Sequence, residues 1–272
     1  MIIVCWRWVA PGDDPRWGAV SNADRSALEL ALRLSQDGSG DPADEPVHVI
    51  TVGPPGAEQT LRTALAAGAA TATRIDAPLS LVSAATAAAL AGVIDDLGGV
   101  DALTWVICGD YSDDRGSGST PGFIAAQLDI AQALGLVGVE PAGGPRRLLG
   151  TRRLDGGRRE RLEIAAPAVL SIEGSLMRLR RSSPTAELAA QQAAITVVAG
   201  PTGPVDAPQE IRPYRPRPRV LAPPVGATTL DRVRSITGAD QQTHHASETV
   251  ELEPAAAAER VLEALRERGY LD

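Results

Sequence analysis

Short apolar runs alternate with amphipathic segments of about 10–15 residues through the first half of the chain, and this alternation constrains the fold more than any other feature. MIIVCW starts at residue 1, VHVITVG at Val47, TATRIDAP at Thr71 and ALTWVICG at Ala102. Between them lie SNADRSALELALRLSQD, with Asn22 or Asp24 as its expected cap, then PGAEQTLRTALAAGA with Gly68 near its end, then LVSAATAAALAGVIDDLGG. A strand too apolar to face water on either side, followed by a helix, repeated, builds a parallel sheet covered on both faces. Aromatics are only 3% of the 272 residues, so Ala, Val, Leu and Ile must fill that core. In such a sheet, ligands sit outside the carboxyl ends of the strands. Three loops leave those ends: Trp6 to Asn22, Val52 to Pro55, and Cys108 to Phe123.

The third loop, CGDYSDDRGSGSTPGF, carries the most chemistry. An Ala-rich amphipathic run follows it. Backbone N–H groups around Gly116 to Ser119, with the hydroxyls of Ser117, Ser119 and Thr120, suit a phosphate at a helix N-terminus. Gly116-Ser117-Gly118 with Gly122 is one residue off the dinucleotide fingerprint and follows the fourth strand, not the first. Asp110, Asp113 and Asp114 suit a phosphate badly. The pair Asp113-Asp114 could instead hold a metal or form a capped turn.

After about Val139 the pattern changes. RRLLGTRRLDGGRRERLEIAAPAVLSIE reads as a late β-hairpin turning at Asp155-Gly156-Gly157, then a strand. SLMRLRRSSPTAELAAQQ reads as an irregular basic segment, and AAITVV as a last strand. The expected division is an α/β nucleotide-binding domain over 1–198, then an extended Pro/Arg-rich arm over 199–272 ending in a helix that opens near Pro254.

Much chemistry is excluded by what the chain lacks. All 26 basic residues are arginine, so Schiff-base catalysis, a Walker A lysine and a lysine base are ruled out. His48 lies inside a strand, and His244 and His245 in an unpatterned polar segment. There is no GxSxG elbow and no HExxH helix. Cys5 and Cys108 each sit in an apolar run with no CxxC, which argues for reduced buried thiols. The net charge of −8 argues against nucleic acid, and Arg178, Arg180, Arg181 and the Arg212 to Arg219 cluster suggest an acidic protein partner. No apolar run is long enough for membrane insertion and no basic region precedes MIIVCW, so the cytoplasm is the expected location.

The residues also carry a resemblance. VITVGPPGAEQTLRTALAAGAATATRID resembles the second strand–helix–strand unit of electron transfer flavoprotein beta subunits. Its core is Leu61-Arg62-Thr63-Ala64-Leu65-Ala66-Ala67-Gly68-Ala69, with Ala70 where Asp is usual. RRLDGG followed by AAPAVLSIE, and ALELALRL near the start, are similar to further segments of that family, over residues 1 to about 198. The resemblance implies a Rossmann-like domain of the adenine-nucleotide alpha-hydrolase type. It implies an electron-transfer component, not an enzyme in its own right. An alpha subunit would join it in a heterodimer, with the arm and C-terminal helix docking on that partner, and hold most of the redox-active FAD. The beta subunit would hold AMP or a second FAD. Electrons would pass from a flavin or other dehydrogenase to a quinone oxidoreductase-type acceptor. The chain looks like a diverged branch, with mycofactocin-associated dehydrogenases as one candidate donor class.

Carried across by position, the resemblance places the nucleotide against Cys5, Ser21, Asn22, Ala23, Asp24, Val52, Gly109, Asp110, Asp114, Gly116, Ser117, Gly118, Ser119 and Thr120. Backbone groups of Cys5 and Val52 would meet the adenine edge, Asp24 or Asp114 a ribose hydroxyl, and Gly116 to Thr120 the phosphate. Arg181, Ser182, Ser183, Pro184 and Thr185 would form the segment that recognises the dehydrogenase. One departure bears on the ligand: Gly109-Asp110-Tyr111 stands where Gly-Lys-Gln is usual, so an anion replaces a cation beside the expected phosphate. A stand-alone adenine-nucleotide-binding regulator on the same fold is the alternative; the long Pro/Arg arm favours the subunit.

Overall fold

The structure, a computed structural model, describes residues 1–36, 45–144, 146–202, 224, 226–237 and 250–271. The chain divides into two compact units, Met1–Gln209 and Glu210–Asp272.

In the first unit the expected alternation is realised. β1 (Ile2–Trp6), β4 (Val47–Gly53), β5 (Thr71–Asp76) and β6 (Trp105–Gly109) are joined through α1 (Asn22–Gln36), α2 (Glu58–Ala67) and α3 (Ser83–Asp96). Within the β1–α1 connection, β2 (Trp8–Val9) and β3 (Ala19–Val20) form a small antiparallel pair. α4 (Thr120–Leu128), β7 (Ala131–Pro141), β8 (Arg147–Arg153), β9 (Arg159–Ala165), β10 (Ala168–Ile172), α5 (Pro184–Gln192) and β11 (Thr196–Ala199) follow. The sheet has nine strands in the order β11-β5-β4-β1-β6-β10-β7-β8-β9. All neighbours from β11 to β7 are parallel, and only β7-β8-β9 are antiparallel.

Residue parity along β1 shows why the strands must be apolar throughout. Ile2, Val4 and Trp6 enter one core with Leu28, Ala31 and Leu61 of α1 and α2. Ile3 and Cys5 enter the other with Leu90, Ile94 and Ile124 of α3 and α4. Cys5 and Cys108 are register partners on β1 and β6, both buried and both free. The neighbouring Cys5, and then burial, push the Cys108 thiol well above its ordinary range, as expected of inert structural thiols.

Three segments differ from the sequence expectation. The Ala-rich run after the loop is not one helix. It breaks at Asp129, which adopts a left-handed conformation (φ 52°) as the C-cap of α4, and then becomes β7. The supposedly irregular segment after Arg181 contains α5, whose N-cap is Ser183: its hydroxyl accepts the Ala186 N–H at 3.2 Å. In the second unit α6 (Thr229–Thr237) forms as well as the expected terminal helix, α7 (Pro254–Glu267). The Arg212 to Arg219 cluster, His244 and His245 lie outside the described residues.

Candidate functional site

β1 is the point from which the chain builds the sheet outward in both directions: β4 and β5 on one side, β6, β10 and β7 on the other. Loops leaving β1 and β6 therefore diverge, and the crevice between them is where an open α/β sheet binds a ligand. Residues 7–21 form the first of these loops and 110–119 the second.

The start of α1 is fixed by a reciprocal cap. Ser21 Oγ accepts the Asp24 N–H at 3.0 Å, and Asp24 Oδ2 accepts from the Ser21 hydroxyl at 2.9 Å and the Ser21 N–H at 3.3 Å. The cap is thus Ser21, with Asp24 three residues on, in place of the Asn22 or Asp24 cap expected from sequence. Trp6 Nε1 donates to the Asp24 carbonyl at 2.7 Å. Asp24 is 2% exposed, and burial pushes its carboxyl up to about 7 against the opposing hydrogen bonds from Ser21. Gly109 and Gly174 permit this turn to pack so closely: a Cβ on either would lie within 3 Å of the backbone at Ala23 or Asp24.

The loop after β6 is stapled on both sides. Arg7 Nη2 donates to Asp114 Oδ2 at 2.7 Å and to the Leu79 carbonyl at 3.3 Å. Arg115 donates to the Ser80 carbonyl at 3.4 Å and the Leu81 carbonyl at 3.5 Å. Burial would raise Asp114, but the Ser112 hydroxyl and Arg7 outweigh it and hold the carboxyl at about 2. Gly116 and Gly118 take left-handed conformations (φ 57° and 59°) that bring the chain round to α4, whose N-cap Ser119 makes no side-chain capping bond to the helix. Instead its hydroxyl pairs with that of Ser117 at 2.9 Å.

Two cavities flank this loop. The smaller, about 40 Å³, lies beneath it between Arg7, Ser83, Thr86, Asp114 and the start of α4. The larger, about 550 Å³, lies between Ser21–Ala23, Asp110–Tyr111 and Glu173–Ser175. Asp110 and Tyr111 border both, and the Tyr111 ring packs over Gly116, where a Cβ would come within 2.7 Å of it. Two polar atoms there are buried without a partner among the described residues: Thr86 Oγ1 and Asp110 Oδ1. Burial, then the charge of Glu173, raises the Asp110 carboxyl.

The family model for the electron transfer flavoprotein domain matches residues 15–202, running from the β1–α1 loop through both cavities to the end of β11. The chain belongs to the electron transfer flavoprotein family. Among curated proteins it is similar to the electron transfer flavoprotein subunit beta of Mycobacterium tuberculosis, at 32% identity over 174 residues, 63% of each chain. It is also similar to that of Methylophilus methylotrophus, at 29% over 162 residues, 59% of each. Each match thus spans less than two thirds of the relative's own length.

The residues expected from sequence to hold a nucleotide divide between the two cavities. Ser21, Asn22, Ala23 and Asp110 line the larger, while Gly109, Asp110, Asp114 and Ser117 to Thr120 line the smaller. Gly116 shapes the loop from outside both linings. Cys5, Val52 and Asp24 are buried behind them, the first two in the sheet and Asp24 in its cap. Among the described residues no group of three acidic, His or Cys side chains could hold a metal, and Asp114 of the Asp113-Asp114 pair faces Arg7 instead. Arg7, Ser83 and Thr86 were missed by sequence reasoning. Only their position just past β1 or at the start of α3 marks them, and nothing local shows that the fold brings them together.

The segment expected from sequence to recognise a dehydrogenase is flanked by structural contacts. Arg180 binds Glu29 of α1 through its Nε (3.0 Å), Nη2 (3.2 Å) and backbone N–H (3.0 Å). Arg62 Nη1 donates to the carbonyls of Ala190, Gln191 and Ala193 at 2.8, 2.9 and 3.2 Å, capping the C-terminus of α5. Arg181, Ser183, Pro184 and Thr185 are exposed and Ser182 half-buried; one turn on, Leu188 is 70% exposed.

Proposed function

We propose that this chain is the beta subunit of an electron transfer flavoprotein. In this reading it pairs with an alpha subunit, the heterodimer carries FAD, and electrons pass from a dehydrogenase to a quinone oxidoreductase-type acceptor. The observation that carries the reading is the family match over residues 15–202, which includes the cap at Ser21 and the whole loop from Asp110 to Ser119. Electron transfer needs closeness and a tuned potential, which the protein supplies by binding and orienting a cofactor; it needs no general base.

The residues at the sheet's carboxyl end suit an adenine nucleotide, AMP or a second FAD. The free helix N-terminus at Ser119, the hydroxyls of Ser117 and Thr120, and the unpartnered Thr86 hydroxyl are donors for a phosphate. The larger cavity has room for a nucleoside beside Ser21–Ala23. Buried Asp24 would hold the turn in place, and Asp114, which lines the smaller cavity with Ser117 to Thr120, would lie nearer a phosphate than a ribose. Dehydrogenase recognition falls to Arg181–Thr185 and the first turns of α5, with Leu188 as the apolar anchor. Helices α6 and α7, which expose Leu230, Val233, Ile236, Val261 and Leu262, would dock on the alpha subunit.

The test is co-expression with an alpha subunit and mass spectrometry of the ligands released from the purified complex. A yellow heterodimer with one FAD and one AMP, or with two FAD, supports the reading. A heterodimer that stays colourless with added FAD, or a homo-oligomer binding adenine nucleotide alone, refutes it.

A further inference from the structure

We propose that Arg7 is the side chain that pairs with the nucleotide's phosphate, and that Asp114 holds this cation in the phosphate's place until a nucleotide displaces it. The inference rests on the nucleotide reading above and specifies what sets the affinity of that site.

Arg7 follows directly on β1, where the two loops diverge, and its side chain is only 19% exposed. Its Nη2 is shared between Asp114 of the β6–α4 loop and the Leu79 carbonyl of the β5–α3 loop. The Asp114 carboxylate is held by Arg7 and also faces the Ser112 hydroxyl and the Arg115 N–H. A guanidinium, a hydroxyl and a backbone N–H around one oxyanion are the donor types that bind phosphate. Here the loop supplies the oxyanion itself.

The surroundings indicate that the arrangement is exchangeable. The cleft beside the pair encloses about 40 Å³, enough for a water-sized occupant and far too little for a nucleotide. Yet its wall includes the Thr86 hydroxyl, 4% exposed and without a partner among the described residues. A buried hydroxyl left unbonded is costly, and an incoming phosphate oxygen would satisfy it. Asp110 and Tyr111 border both this cleft and the larger cavity that can take the nucleoside, so a phosphate at Arg7 and a nucleoside there would be neighbours. The left-handed glycines at 116 and 118 give the loop the backbone freedom to move. A phosphate dianion outcompetes a carboxylate for Arg7, whereas a nucleoside gains nothing from the exchange. Asp113 provides the contrast: it has the same charge in the same loop, but it borders the other cavity and has no ion pair among the described residues.

Equilibrium dialysis of the full chain with AMP and with adenosine tests this, using Asp114→Asn, Asp113→Asn and Arg7→Gln. Releasing a partly buried ion pair predicts that Asp114→Asn tightens AMP roughly fivefold to tenfold, with adenosine changing less than about twofold. Asp113→Asn, at the nucleoside cavity, should change AMP and adenosine by the same factor, and Arg7→Gln should weaken AMP about tenfold or more without affecting adenosine. The exchange is overturned if Asp114→Asn weakens or does not change AMP binding, or if Asp113→Asn tightens AMP relative to adenosine as much as Asp114→Asn does. If folded wild type and all three variants bind neither ligand, the nucleotide reading itself fails. Matching urea midpoints establish that the variants are folded.

Discussion

Gly109→Ala isolates the contact that positions α1 against the end of β6. A Cβ at Gly109 would lie 2.7 Å from the Asp24 nitrogen, 2.8 Å from its Oδ1 and 2.9 Å from the Ala23 carbonyl carbon. Two of these three are backbone atoms, so no flexible side-chain end can swing away and the first turn of α1 must retreat. Forcing an extra methyl into a packed interior costs about 1–3 kcal/mol. Any distortion of the Ser21–Asp24 cap adds to that, since such caps are worth about 0.5–2 kcal/mol. Against this, Ala restricts the unfolded chain and returns about 0.4–1 kcal/mol. The expected net loss is about 2 kcal/mol, or a fall in Tm of about 4–8 °C for a unit of this size. Gly92→Ala is the matched control. It lies exposed in the middle of α3 with nothing within 4 Å of the added methyl, and should gain about 0.5–1 kcal/mol. Urea unfolding of wild type and both variants gives the comparison. A Gly109→Ala protein as stable as wild type would show that the close approach does not constrain the fold.

The buried Asp24 makes stability depend on pH. Its folded carboxyl, at about 7, holds a proton that the unfolded one, near 3.8, has released, so its contribution is full below about 3.8 and is lost as pH rises toward 7. The slope in that window is at most about 1.4 kcal/mol per pH unit, and Asp24→Asn should abolish it; an unchanged slope of the urea midpoint from pH 5 to 8 would exclude Asp24 as its source. Arg62→Met removes the three hydrogen bonds that cap α5 and should cost about 1–2 kcal/mol, with faster amide exchange over residues 184–192; uniform protection there would contradict the capping role. Leu188→Glu, on an exposed face, should change stability by less than about 0.5 kcal/mol but lower the kcat/KM of a donor dehydrogenase for the heterodimer about tenfold or more, and equal rates would remove Leu188 as the anchor.

The parallel sheet was legible because a strand buried on both faces leaves a local signature, an unbroken apolar run such as that of β1 or β4. The RTALA segment and the hairpin turn at Asp155-Gly156-Gly157 could be read for the same reason: their meaning lies within a few neighbouring residues. The break between α4 and β7 was not legible, since Ala-rich sequence suits either state and sheet pairing with β10 and β8 decides it. α5 was hidden by the arginines before it, although Ser183-Pro184 is a local start signal.

At the site, composition and order already specified the residue types: glycines and hydroxyls after the fourth long strand, aspartates beside them, and no lysine to offset their charge. The meaning of the aspartates depended on tertiary placement. Asp24 and Asp114 read alike in sequence. Folding buries one in a helix cap, which raises its carboxyl to about 7, and sets the other against Arg7, which is 107 residues distant in the chain and helps hold it at about 2. A carboxyl's charge state is set by the dielectric and the partners around it, and only the folded chain supplies those.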